Sequence, residues 1–330
     1  CNHTIQFFPS TITPKDKDVF PTKLHYVQYS SRNRSADLYP ERELGRSVGL
    51  MMDEAKACGK MIQSGLEAKG VVCWNTSAEQ IVSLSEEKEK HVEIKCFDRV
   101  NHREQVIRTN LLVLATGSDA PDLVQPFGFQ SPQMLNNVSV RFDIPEKDLK
   151  RDMPMEYMYH RHPNISREGP MAITRTKKFA NVQMVSEKPP KDLKDVMLRV
   201  LNKYDHLKGF FDNALVPPEK LTVDDVKVGK IGKSAIERFV EDGIAIIGEA
   251  AGLVSEYYYE GTLGAFCSAK MLSQTVKRVQ EGDGKFDKSA LAEYERNVRS
   301  SMLGNWEKSQ KANEKLFIKN RVFRGLLNSL

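Results

Sequence analysis

The stretch Asp242-Gly-Ile-Ala-Ile-Ile-Gly-Glu-Ala-Ala-Gly-Leu constrains this chain more than any other, together with Tyr257-Tyr-Tyr-Glu-Gly-Thr262 just beyond it. The apolar run at 244–247 predicts a strand, the small residues at 248–252 predict a tight turn, and the spacing from 261 to about 279 predicts a helix. A buried strand that runs into a Gly/Ala turn lets backbone N–H groups approach a ligand, because no large side chain blocks the way. An ordinary strand-to-helix turn in an α/β core carries the same pattern, and periodicity alone does not separate the two.

The rest of the chain supplies context. At 330 residues there is room for two interleaved domains. A 40% hydrophobic and 28% charged composition excludes disordered and fibrous classes. The net charge of +5 is spread along the sequence, reads as a solvated surface, and gives no reason to expect a nucleic-acid partner. Cys1, Cys58, Cys73, Cys96 and Cys267 are odd in number and form no C-x-x-C pair, so neither a disulfide framework nor a zinc site is expected. That usage suits a reducing compartment. With no apolar run of about 20 residues and no leader signature in the polar segment Cys1 opens, the expected location is cytoplasmic.

Taken in order, 1–40 reads as loop and short strands punctuated by Pro9, Pro14, Pro21 and Pro40. A helix is expected over 44–69, with Leu44, Val48, Met51, Ala55, Cys58, Ile62 and Leu66 at helical spacing and Gly70 as its stop. Strands are expected at 71–74, 79–84, 91–97 and 105–108, with a charged turn at 85–90. The continuous apolar segment 111–117, ending Ala-Thr-Gly, suits a parallel strand buried on both faces. Residues 119–225 change character: prolines break up the first half, and 138–144, 155–159, 171–176 and 180–185 alternate like antiparallel strands. A short amphipathic helix fits 192–204, residues 227–238 lead back to the organising stretch, and 287–327 reads as helical.

The wording of 242–272 resembles the second flavin motif of the geranylgeranyl reductase and electron-transfer-flavoprotein dehydrogenase group. These are FAD-dependent proteins with a p-hydroxybenzoate hydroxylase-like fold. The group's pattern, D-G-(apolar)-G-D-A-A-G, then P-x-x-G-x-G-I, then A-x-x-S-G, lies on this chain without a gap. Gly248, Ala250, Ala251, Gly252, Gly261, Ala265 and Ser268 match it, whereas Glu249 replaces Asp, Glu256 replaces Pro, and Tyr259 and Ala269 replace Gly. An antiparallel meander feeding Ala115-Thr-Gly117 is similar to the group's middle motif and stands in the right order.

The resemblance implies an α/β fold: a Rossmann-like FAD-binding domain, incomplete at the N-terminus, with an inserted antiparallel-sheet substrate domain and a helical C-terminus. The implied boundaries are 1–118 and 229–286 for the FAD-binding parts, 119–228 for the substrate domain and 287–330 for the helical region. It assigns cofactor contacts to Thr116, Gly117, Gly248, Glu249, Ala250 and Ala251, with the turn amides facing the pyrophosphate. Glu249 would reach about 1.5 Å further than the group's Asp. Gly261, Thr262 and Leu263 would open a helix whose dipole stabilises charge at the flavin N1–C2=O edge. Arg46, or else Arg42, stands near an FAD-contacting arginine of the group; an arginine in the first turn of a helix explains it equally. Tyr257, Tyr258 and Tyr259 would pass the flavin ring or line a substrate pocket, against the alternative of a core-packed cluster.

The implied activity is FAD-dependent reduction of a hydrophobic alkene such as a prenyl lipid, or electron transfer to a quinone, driven by NAD(P)H or a protein donor. The alternatives are an FAD-dependent monooxygenase and a degenerate, non-catalytic flavin-fold protein. Of the prenyl reductases' aromatic segment and following A-N-V-G, only Ala180-Asn181-Val182 is retained. No G-x-G-x-x-G occurs anywhere, so the first βαβ unit of such a fold is expected to be missing from this chain, with Cys1-Asn2-His3 a remnant of a flavin-side loop. Gly232-Lys-Ser234 is no P-loop, because Lys227 stands where that motif needs glycine. His160 and His162 lack partner ligands at metal spacing, so no metal is expected, and no side chain is singled out as an essential acid or base. The basic amphipathic segment 315–327 is either a docked terminal helix or a peripheral membrane contact.

Overall fold

Period-two alternation of apolar residues along 134–143 and 179–186 buries one face of a sheet, and that sheet is the largest element of the computed structural model. The structure describes residues 12–30, 35–38, 49–84, 91–118, 123, 125–145, 155–160, 168–169, 171–175, 179–203, 207, 211, 213–255 and 259–313. The chain opens with β1 (Thr22–Ser30), β2 (Ser35–Leu38), β3 (Gly49–Met51) and helix α1 (Glu54–Glu67). A meander follows, β4 (Thr76–Leu84), β5 (Val92–Asp98) and β6 (Arg103–Thr109), and then the short β7 (Leu112–Leu114). Next come β8 (Met134–Asp143), β9 (Met155–His160), β10 (Met171–Arg175), β11 (Phe179–Ser186), α2 (Pro190–Lys203) and β12 (Lys227–Gly232). The last part comprises β13 (Val240–Glu241), β14 (Ile244–Ile246), α3 (Thr262–Glu281), α4 (Lys288–Asn297) and α5 (Gly304–Asn313).

The large sheet runs β12-β8-β11-β10-β9-β1-β2, with β3 also on β1. Its pairings are antiparallel except β1–β9, which is parallel from Leu24↔Met155 to Ser30↔His160. Helix α2 lays Leu193, Val196, Met197, Val200 and Leu201 into one core with Val138, Val140, Phe142, Val182 and Met184. Each such fully buried side chain contributes roughly 2 kcal/mol.

A second core forms around β13-β14-β7. Strand β14 pairs in parallel with β7, Ile244↔Leu112 through Ile246↔Leu114, and is buried along its whole length. Helices α3 and α4 contribute Cys267, Leu272, Leu291 and Tyr294 to this core, and β5 adds Val92, Ile94 and Cys96 from its buried face. The antiparallel meander thus shares one core with the parallel strands. No helix among the described residues is long and apolar enough to cross a membrane.

Two local expectations change. The helix expected at 44–69 begins only at Glu54: Asp53 caps it, accepting from the Lys56 N–H at 3.1 Å, while Gly49–Met51 pairs with β1. Sheet pairing overrides the helical spacing there, and α1 buries only Ala57 among its described side chains. Residues 71–74 form no strand, and Val71 is 87% exposed. Across the boundary drawn at residue 118, β1 pairs in parallel with β9, and β3 pairs with β1.

Packing of α3 depends on Gly264, where an added Cβ would lie 1.8 Å from the Leu253 carbonyl oxygen. At Gly261 the nearest such contact is an ordinary 3.7 Å to Val254. Gly264→Ala is expected to cost about 3 kcal/mol in urea unfolding. Gly261→Ala, at the helix N-cap, is expected to cost less than about 1 kcal/mol, and equal losses would contradict this packing.

Candidate cofactor-binding cleft

Because β7 and β14 are parallel, their C-terminal ends open on the same edge, the place where ligands bind in parallel α/β sheets. Beyond β7 the chain turns through Thr116 and Gly117, the latter at φ +66°. Beyond β14 it makes a single 3-10 turn, Gly248–Ala251, and leaves through Gly252 at φ +67°. Between the two turns and the 130–134 segment lies a solvent-open cleft of about 490 Å³. It is lined by Leu114, Thr116, Gly117, Ser118, Gln130, Ser131, Pro132, Met134, Ile246 and Ala250. Among the described residues that lining carries no charged side chain.

Three of the sequence-predicted residues therefore meet: Thr116, Gly117 and Ala250. At Gly117 an added Cβ would meet nothing within 4 Å, so bare backbone faces open space. Gly248 has another task. Its N–H donates to Ser268 Oγ at 3.0 Å, and a Cβ there would lie 3.3 Å from Ala265 Cβ, so it closes the strand onto α3. Ala251 is fully buried, and its carbonyl accepts from the Ile236 N–H. Glu249 turns its carboxylate back toward β12, where Oε1 accepts from the Gly232 N–H at 3.2 Å. Gly261, Thr262 and Leu263 open α3 as expected but lie outside the cleft lining. The Leu263 N–H is already taken by the Glu260 carboxylate at 3.2 and 3.3 Å.

Of the tyrosines, Tyr259 is 6% exposed and packs with Leu135, Val185, Ile231 and Val254, the core-packed alternative. It adopts φ +51° at the position where the resembled group has glycine. Arg46, Arg42, Tyr257 and Tyr258 lie outside the described residues, as do Glu256, His162, Cys1 and 315–327. No cluster of three metal-ligating side chains occurs among the described residues.

Sequence reasoning missed the 130–134 wall, whose only local signal is a pair of polar residues before a proline. It also missed what holds the strand ends. Tyr294 Oη donates to the Ile246 carbonyl at 2.8 Å, and burial pushes that phenol well above its usual range. Burial, aided by the Glu260 carboxylate, raises the Cys267 thiol to about 11, so it stays protonated at neutral pH.

No protein-family model matches the sequence, and no curated protein matches it. Solved structures do match. A geranylgeranyl bacteriochlorophyll reductase-like protein from Thermoplasma acidophilum is 16% identical, with a TM-score of 0.70 over 90% of this chain and 72% of its own. A flavin-dependent brominase is 15% identical, with a TM-score of 0.67 over 95% of this chain and 75% of its own. The p-nitrophenol 4-monooxygenase of Pseudomonas putida is 13% identical, with a TM-score of 0.61 over 93% of this chain and 76% of its own. At such identities the likeness establishes the fold: this chain has the mixed α/β fold shared by flavin-dependent enzymes.

Two outcomes follow from the site's hydrogen bonds and burial. Ser268→Ala leaves the buried Gly248 N–H without its acceptor and is expected to cost about 1–3 kcal/mol in chemical denaturation; a neutral result would show that this bond does not hold the turn. Alkylation at neutral pH is expected to modify exposed Cys58 and Cys73 and to spare buried Cys96 and Cys267 until the fold opens. Early labelling of Cys267, read by mass spectrometry, would contradict its raised thiol.

Proposed function

We propose that this chain is an FAD-dependent oxidoreductase. In this reading it passes reducing equivalents from NAD(P)H or a protein donor to a hydrophobic acceptor, either an alkene of the prenyl-lipid kind or a quinone. The observation that supports it most is convergence. The Ala-Thr-Gly turn and the Gly-Glu-Ala-Ala turn, far apart in sequence, bound one cleft at the C-terminal ends of two parallel strands.

The residues present offer uncharged polar groups and open backbone to the ribityl–pyrophosphate middle of a dinucleotide. Thr116, Ser118, Gln130 and Ser131 offer hydroxyl and amide groups, Gly117 offers open backbone, and Leu114, Met134 and Ile246 give an apolar lining. Bound FAD would supply hydride and single-electron transfer at its isoalloxazine ring. The chain's part is to hold and orient the cofactor, through Thr116, Gly117 and Ala250 on one wall and Gln130 and Ser131 on the other, and to keep water from the apolar lining. The large sheet would roof the substrate, and 315–327 would carry the protein to a lipid surface. We further read the cleft as one part of a larger dinucleotide site. Among the described residues β7 has a partner on one edge only, Val113 on it is 40% exposed, and a glycine-turn βαβ unit would pair there.

A monooxygenase is the second reading, since one similar structure is a monooxygenase. Against it stands Gly252, where the sequence pattern of such enzymes has histidine: at φ +67° its Cβ would lie 2.1 Å from the Ser234 carbonyl oxygen. A non-catalytic flavin-fold protein is the third, favoured by the Gly248 and Leu263 amides already being bonded to Ser268 and Glu260.

Reconstitution with FAD separates these. A visible flavin band bleached by NAD(P)H or dithionite, with reducing equivalents recovered in an alkene or quinone, is the expected result. Rapid reoxidation by oxygen with a hydroxylated product would point to the monooxygenase, and a folded protein that takes up no FAD even with the glycine-turn unit supplied would overturn the enzyme reading. Thr116→Asp places a carboxylate in the uncharged cleft and is expected to weaken FAD binding at least about tenfold, about 1.4 kcal/mol, at unchanged thermal stability.

A further inference from the structure

The 130–133 part of the cleft wall is a loop that runs into β8, and a guanidinium stands beside the segment that leads into it. Arg238 Nη2 donates to the Phe127 carbonyl at 2.6 Å, and the guanidinium carbon lies 4.9 Å from the centre of the Phe129 ring, itself 3% exposed. On its other side Arg238 Nη1 pairs with Glu241 Oε2 at 2.8 Å. Glu241 belongs to β13, which is paired with β14, the strand whose end forms the opposite wall. Gly128, at φ +74°, makes room for this reach: an added Cβ would lie 3.0 Å from Arg238 Nη2. Two flanking ties run the same way. Gln130 Nε2 donates to Glu237 Oε2 at 3.3 Å, and the Lys233 N–H donates to the Gln133 carbonyl at 2.7 Å.

We propose that Arg238 is the positioning residue of the cleft. Anchored on β13, it fixes the Gln125–Phe127 turn and Phe129, and through them the separation of Gln130 and Ser131 from Thr116, Gly117 and Ala250. The consequence for affinity rests on the flavin reading above; the hold on the loop does not. Arginine suits the task because a planar fork can stack on Phe129, bond a carbonyl and pair with a carboxylate at once, whereas a lysine ammonium is a compact point charge with no flat face and no spread of donors. Its Nε is buried without a hydrogen-bond partner among the described residues, so the other two nitrogens and the ring contact carry the interaction.

The test uses the whole chain with three variants and two readouts. Arg238→Met removes the donors, and Gly128→Ala, which also strains a backbone at φ +74°, crowds the guanidinium while keeping the arginine. Hydrogen exchange of peptides spanning 125–134 needs no ligand, and is expected to show protection there falling about tenfold in both variants, with α2 and α3 unchanged. The FAD dissociation constant is expected to rise about tenfold in both, with Arg238→Lys in between. A merely structural role predicts exchange rising evenly across the protein and an unaltered dissociation constant for the folded fraction. Unchanged protection at 125–134 overturns the proposal, and so does lost protection with unaltered FAD affinity. If the unmodified protein takes up no FAD even with the glycine-turn unit supplied, the flavin reading fails, and the exchange measurement alone decides whether Arg238 holds the wall.

Discussion

The backbone of 248–253 is wedged between two other backbones, and the rest of the site takes its position from that fit. On one side, a Cβ at Gly252 would lie 2.1 Å from the Ser234 carbonyl oxygen; on the other, a Cβ at Gly264 would lie 1.8 Å from that of Leu253. Neither position admits a side chain without moving main chain. The approach is close enough for side chains of the two helices to reach the end of β14. Ser268 on α3 takes the Gly248 N–H, and Tyr294 on α4 donates to the Ile246 carbonyl. A short strand that could not satisfy its own terminal groups is thereby completed by helices, and buried polar groups are matched rather than left to water. The core of this half and the support of the cleft are one piece of packing.

That dependence explains which features were legible in the sequence. Strands β5, β8, β10 and β11 stand within a few residues of where alternation put them, because a half-buried strand writes its period into its own residues. The Gly-Glu-Ala-Ala and Ala-Thr-Gly turns were equally plain, since small residues after an apolar run admit few backbones. The division of labour among the glycines was not legible. Gly117 faces open space, Gly264 serves packing, and Gly248 and Gly252 each serve both a left-handed backbone and a close approach. A glycine looks the same in all these roles, and only the partner surface tells them apart.

Long-range pairing was the other blind spot. Nothing near Leu24 announces that it will lie beside Met155, and Gly49–Met51 carries helical spacing yet is claimed by β1. Arg238 shows the same limit at the level of one side chain. In sequence it is a basic residue on the approach to a strand, and its meaning depends on Phe127 and Phe129, more than a hundred residues earlier.

The departures from the resembled group's pattern bear on where a cofactor would be held. Tyr259 keeps the left-handed backbone that glycine would adopt, at a cost of about 1–2 kcal/mol. Its ring offsets that cost by filling the space between Gly169, Val185 and Val254, so the turn survives the substitution. Pinned by the bonds Tyr259 N–H to Ser255 O and Ser255 N–H to Glu260 O, the neighbouring Glu260 sets its carboxylate on the first turn of α3. A carboxylate there satisfies an orphan amide and complements the helix dipole, which stabilises α3 from within the chain. A ligand arriving at that helix end would meet a donor already engaged, whereas at the ends of β7 and β14 it meets open backbone at Gly117 and uncharged polar groups. In the flavin reading proposed above, the balance of recognition would therefore shift from the helix terminus to the strand-end cleft, and the loop that Arg238 contacts would be the surface on which affinity depends.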